Sequence, residues 1–146
     1  MIANFVLSTI MVGLTVTIHF GGLLGLLWFL RGSGHRFKAH ESAAGQGAVI
    51  LFVVLGLVGI HTVEVWLYAL AYVVVGALHD FEAALYFSTT SFTTIGYGDV
   101  VLDHKWRLVG AIEGANGLLL FGWSTAFLIS VTGRMRVLEH DWLERR

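Results

Sequence analysis

The chain has 146 residues, of which 56% are hydrophobic and only 13% charged, and its mean hydropathy is +0.76. It is too apolar for a soluble domain and too short for two membrane domains, so one integral membrane domain is expected. A net charge of -1 argues against a nucleic-acid partner, the lack of cysteine excludes disulfides, thiolate chemistry and iron–sulfur clusters, and the lack of proline leaves glycine or packing to bend any helix.

Phe5 to Leu30 is the first apolar run. As a helix it reaches ~39 Å, enough to cross a ~30 Å hydrocarbon core with tilt. Its first positive side chain, Arg31, follows the run, unlike the charge order of a secretory signal. Gly21, Gly22 and Gly25 offer a smooth face for close helix approach. Residues 31 to 47 read as a linker, with Arg31, Arg36 and Lys38 in a short basic loop followed by Gly45, Gln46 and Gly47. Ala48 to Leu78 is a second span, long enough to tilt or to project from the lipid, and His79 and Asp80 end it.

Asp80 is placed to cap a short helix over Phe81 to Phe92, with Glu82 in the first turn at the positive end of its dipole. At ~18 Å this helix is too short to cross, so it has to dip in and return. Its negative end leads into Thr93, Thr94, Ile95, Gly96, Tyr97, Gly98 and Asp99. Successive carbonyls aimed at one axis need backbone of alternating hand, which glycine at every second place supplies, and Gly96 and Gly98 stand there. Thr94 can add its hydroxyl oxygen, while Ile95 and Tyr97 can turn outward to brace the loop. The plain alternative is a Gly-Tyr-Gly turn between two helices.

These seven residues resemble the selectivity filter of the potassium channel family, with Ile95 in place of valine. The resemblance implies that potassium ions bind at the carbonyls of Thr94, Ile95, Gly96 and Tyr97, that Gly98 gives the turn and that Asp99 anchors the outer end. Residues 48–133 as a whole are similar to the family's two-helix pore module, leaving 1–47 as an extra N-terminal helix and basic loop and 134–146 as a short tail. The last span is expected over Trp106 to Thr132, after a return through Asp99 to Lys105. There Arg107, Leu108, Val109, Gly117, Phe121, Gly122, Thr125 and Ala126 match the family's inner helix. By resemblance Gly117 falls at a gating hinge, and Leu118, Phe121 and Thr125 on the cavity face; Gly117 can equally be a packing notch. Tyr86, Phe87 and Thr90 replace the tryptophan pair and glutamate with which several members brace the filter aspartate, so the brace has to be built differently. In the tail, Met135, Leu138 and Trp142 at helical spacing predict a surface or bundled helix.

Arg31, Arg36, Lys38, Arg134, Arg136, Arg145 and Arg146 fall on one side and only Lys105 and Arg107 on the other. The positive-inside rule then puts the C-terminus in the cytoplasm and the N-terminus outside a cell membrane, plasma or bacterial inner. No span carries an arginine series, so voltage sensing is not expected, and a 13-residue tail leaves no room for a large ligand-binding domain.

Glu64 and Glu113 lie in apolar spans, where an ionisable group is costly and marks function by default. Counted down from the outer ends of their spans, His19 lies at ~24 Å, His61 at ~25 Å, Glu64 at ~21 Å, Asn116 at ~18 Å and Glu113 at ~13 Å. His61, Glu64, Tyr68 and Tyr72 share one helix stripe, which should face protein. Three readings of this polar set stand open: a hydrogen-bonded lock between the extra helix and the pore module, a proton-sensitive gate, or a histidine–carboxylate metal site without any tight ligand spacing. His79, Asp80, Asp103 and His104 read as solvated turn residues that can also tune cation concentration at the entrance.

The expectation is therefore an all-α membrane protein of three transmembrane helices plus a re-entrant pore helix and filter. One pore loop per chain, with no second Gly-Tyr-Gly copy, calls for a homotetramer in a lipid bilayer. It would conduct potassium passively, without covalent chemistry, an organic cofactor, nucleic acid or any auxiliary subunit that can be inferred. The alternatives are a weakly selective cation channel and a His/Glu membrane metalloprotein that merely contains the motif.

Overall fold

The computed structural model describes residues 1–33 and 43–133. Much of the basic loop and the helix expected in the tail lie outside these residues. Four helices occur in order: α1 (Ile2–Ser33), α2 (Ala43–Val74), α3 (Phe81–Phe92) and α4 (Arg107–Thr132), with no strand among the described residues. α1, α2 and α4 are long and apolar enough to cross a membrane. α3 spans the residues expected of it, and Asp80 caps it as the sequence suggests, its carboxylate accepting from the Ala83 N–H at 2.9 Å.

α1 runs three residues beyond the expected Phe5–Leu30 at each end, and both ends of α2 also differ from expectation. α2 begins at Ala43, so Gly45, Gln46 and Gly47 are helical and the linker is shorter than 31–47. α2 also stops at Val74 rather than Leu78, because Gly76 adopts φ 68°. The Gly76 N–H donates to the Val73 carbonyl at 3.1 Å and the Ala77 N–H to that of Tyr72 at 2.9 Å, which is a Schellman closure. The chain turns sharply there and enters α3.

α1 packs on α2 and α4, and α3 is held between α2 and α4. The polarity of this packing is inverted relative to a soluble bundle. Asn4, Ser8, Thr15 and His19 of α1 are buried, while Phe5, Ile10, Leu14 and Phe20 of the same helix are exposed. Lipid tails are as apolar as leucine, so apolar side chains gain little by turning inward, whereas polar ones need partners within the protein. One apolar cluster gathers Met11, Tyr68, Tyr72, Phe92, Val109 and Leu120 around the C-terminal end of α3. A second, with Leu23, Leu26, Val53 and Leu57, joins α1 to α2 further along.

Glycines on α4 seat α3. A Cβ on Gly110 would come within 2.9 Å of the Phe87 ring, one on Gly114 within 3.2 Å of the Ser91 carbonyl oxygen, and one on Gly117 would run into the Phe92 carbonyl. On α1, only Gly22 of the three grouped glycines sits against a neighbour, Ile60, and nothing lies within 4 Å of a Cβ on Gly21 or Gly25. The close approach between α1 and α2 relies also on Gly56, over which the Leu26 side chain folds.

Candidate functional site

At the C-terminal end of α3 the helix unwinds into the glycine-rich loop. Thr93 closes the helix at φ -78°, ψ 0°. Thr94, Gly96 and Gly98 then take φ 61°, 55° and 79°, and Thr94 is the single non-glycine at positive φ among the described residues. The left-handed places therefore alternate over three positions, one more than the two glycines indicate. A β-branched residue in this region is strained, and strain of this kind persists where surrounding bonds hold it. Here the Thr94 N–H donates to the Ser91 carbonyl at 2.9 Å and the Gly96 N–H to that of Thr90 at 3.0 Å. The start of the loop is thus tied back to the last turn of α3.

At its outer end the loop is tied by Asp99, whose Oδ2 accepts from the Tyr86 hydroxyl at 2.9 Å. Tyr86 stands in place of one of the two tryptophans of the resembled family and supplies the missing donor. Its hydroxyl is held above the usual tyrosine range, chiefly by this bond to the carboxylate. Phe87 has no such role: its ring meets Tyr72 edge-on, centroids 5.3 Å apart, and fills the notch at Gly110. Ile95 and Tyr97 are 55% and 70% exposed on the single chain, so they do not brace against their own α3.

Behind α3 the five buried polar residues His19, His61, Glu64, Glu113 and Asn116 fall into three hydrogen-bonded groups stepped along α2. In the first, Glu113 of α4 accepts from Tyr72 of α2 and Ser88 of α3, each at 2.5 Å, and Ser88 also lies 2.9 Å from the Val65 carbonyl. One carboxyl group thereby fastens α3 to both flanking helices. In the second, the Asn116 amide donates to Thr15 of α1 at 2.8 Å and to Tyr68 at 3.3 Å. In the third, His19 and His61 each turn Nδ1 to a different oxygen of Glu64, at 3.0 and 2.7 Å. Ser124 of α4 completes this group from the opposite side. Its part, and those of Ser88 and Thr15, are not apparent from the sequence; their only signal is a polar residue at helical spacing in an apolar run.

On α4, Gly117 is buried beneath the Phe92 carbonyl, which makes it a packing notch in this structure. Leu118 and Thr125 are exposed on the single chain, and Phe121 is half-buried with its ring 5.7 Å from that of Phe92. His79, Asp80, Asp103 and His104 are all exposed around the turns at the loop side.

Three long apolar helices, with a short helix and a loop of alternating hand between the second and third, define an all-helical membrane protein built around that loop. Residues 60–134, just over half of the chain, match the family described as Ion channel, and the chain belongs to that family. The match takes in the C-terminal part of α2 from residue 60 and all of α3, the loop and α4, and leaves α1 outside as an additional helix. No curated protein and no solved structure matches the chain.

Proposed function

We propose that this ion channel is potassium-selective and that four copies assemble around one axis, each contributing its loop to a common filter. The observation that carries the reading is the alternation of φ at Thr94, Gly96 and Gly98 directly after a short helix. Alternating hand turns successive carbonyls to the same side of an extended ribbon. A ring of four such ribbons stacks the carbonyl oxygens of Thr94, Ile95, Gly96 and Tyr97, with the Thr94 hydroxyl below them. Oxygens at that spacing replace the water shell of a potassium ion as it enters. The C-terminal end of α3, carrying the negative end of its dipole, faces the start of the ribbon and favours a cation there.

Selectivity requires the ribbon to hold its shape, and the bonds at Ser91, Thr90 and Tyr86 serve that end. They favour a selective filter over the weakly selective cation channel. Neighbouring copies would cover Ile95 and Tyr97, while Leu118 and Thr125 would line the cavity below. The charge distribution supports an orientation with the N-terminus outside a cell membrane and the C-terminus in the cytoplasm, seven of nine basic residues lying on the inner side. Transport is passive, with ions as substrate and no bond chemistry.

Flux through purified protein in liposomes tests this reading. Potassium uptake that persists against excess sodium and is abolished by Gly96→Ala is the expected result. Equal sodium and potassium flux would replace it with the weakly selective reading, and flux indifferent to Gly96→Ala would remove the loop from the conduction path.

A further inference from the structure

We propose that His19, His61 and Glu64 form a transition-metal site, suited to zinc or a similar borderline divalent ion, that clamps α1 onto the channel module. His61 and Glu64 stand three residues apart on α2, so both project from one face toward His19 on α1. One ligand atom from each of the three lies within 4.8 Å of the others, and all three residues are buried. Two imidazoles and a carboxylate make a nitrogen–oxygen donor set that fits zinc and leaves a fourth position open.

Counting protons shows what the cluster lacks. An ionised Glu64 only accepts, so without an ion both Nδ1 atoms must carry hydrogen to meet it at 3.0 and 2.7 Å. Both Nε2 atoms are then bare acceptors turned to the Ser124 hydroxyl, at 3.5 Å from His19 and 2.9 Å from His61. That hydroxyl has one hydrogen to give, so one ring nitrogen has no full donor in a buried site. A metal ion bound at the Nδ1 side removes the conflict. Each ring then holds its hydrogen on Nε2, the two lone pairs of Ser124 accept from both rings, and Glu64 is free to coordinate. Ser124 is thus a positioning residue that fixes both tautomers from behind. One extra proton would satisfy the same count, but two imidazoles and a carboxylate with ligand atoms within 4.8 Å of one another also supply three metal ligands, which a proton does not need.

The walls of the site are apolar and tie it to the rest of the molecule. The His61 ring lies 4.3 Å from Phe121 of α4 and 5.9 Å from Phe92 at the end of α3, and the His19 ring lies 5.3 Å from Trp123. His61 keeps 11% of its side chain accessible, which leaves an approach for the ion. Binding would draw α1 and α2 together beside the aromatic contact that seats the base of the loop.

The test uses the whole protein, stripped with chelator and dialysed against zinc chloride, with zinc per chain read by plasma mass spectrometry. One tightly held zinc per chain is expected. His19→Gln and His61→Gln should each weaken it at least ~10-fold, and Ser124→Ala by about 10-fold through loss of ring positioning. Circular dichroism and the elution volume of each variant verify folding. Replacing zinc with cobalt(II) in the unaltered protein should give the intense visible absorption of a low-coordinate ion, a readout that needs no variant. The exposed His79→Gln and His104→Gln should keep full zinc. Absence of bound zinc in the stripped and dialysed protein, or zinc held equally well by folded His19→Gln and His61→Gln, would overturn the site in favour of a proton-bearing cluster or of surface binding. No ion flux enters these measurements, so their outcome is separate from that of the conduction assay.

Discussion

Single residues with one bond each govern the shape of the loop. Tyr86 reaches Asp99 through its hydroxyl alone, so Tyr86→Phe removes the outer tie while keeping the ring. On the proposed filter reading, reversal potentials under bi-ionic potassium and sodium should show lower selectivity in this variant at an unchanged oligomeric state; unchanged selectivity would mean that Asp99 is held by something else. Glu113 presents a different case, because two hydroxyls bond to it from two helices. Glu113→Ala leaves the Tyr72 hydroxyl without its acceptor in a buried place, at about 1–3 kcal/mol, while Ser88 keeps the Val65 carbonyl as an acceptor. Glu113→Gln retains an acceptor and adds a donor, so thermal unfolding in detergent should rank native above Gln and Gln well above Ala.

Between elements, the glycines of α4 decide how closely α3 can lie. Gly117→Ala drives a methyl into the Phe92 carbonyl, which is backbone and cannot rotate away. Overpacking of this kind costs roughly 1–3 kcal/mol or shifts the helices apart. Because Phe92 is two residues from Thr94, the same substitution should reduce conduction as well as melting temperature. Gly13→Ala on α1 has nothing within 4 Å of the new methyl and gains up to ~1 kcal/mol of helix propensity. Melting curves of the two variants compare them directly, and equal effects would contradict the packing described. The polar stripe of α1 explains in turn why this helix stays with the module. Thr15 and His19 are bonded across to Asn116 and Glu64, and unsatisfied polar groups facing lipid would cost more than any apolar contact on that face returns.

At the scale of the molecule, one chain ties its loop at both ends but leaves the outward side chains of the loop uncovered. Ile95 and Tyr97 are exposed although they alternate with the left-handed residues Thr94, Gly96 and Gly98. A ring of four copies would cover both, and native mass spectrometry from detergent is expected to show a tetramer. A stable monomer that still conducts would remove the shared-filter reading. The family match covers α2 from residue 60 onward with α3 and α4, so conduction belongs to that module, and α1 is an addition joined through buried polar groups.

Much of this was legible in the chain because membranes impose simple rules. Length and hydropathy locate three spans, Asp80 and a 12-residue run locate α3, and paired glycines mark the loop, since each signal is local and a bilayer admits few alternatives. The end of α2 was misjudged by four residues because hydropathy continues through Val75 to Leu78 while Gly76 turns the backbone. Glu64, Glu113, His19, His61 and Asn116 stand out in sequence as polar residues in apolar spans, yet depth along a helix gives no rotation about it. Their sorting into three groups, the entry of Ser88, Thr15 and Ser124 as partners, and the choice of Gly110, Gly114 and Gly117 as the seat of α3 depend on how four helices are turned toward one another. That is a property of packing between distant segments, and no single stretch of sequence carries it.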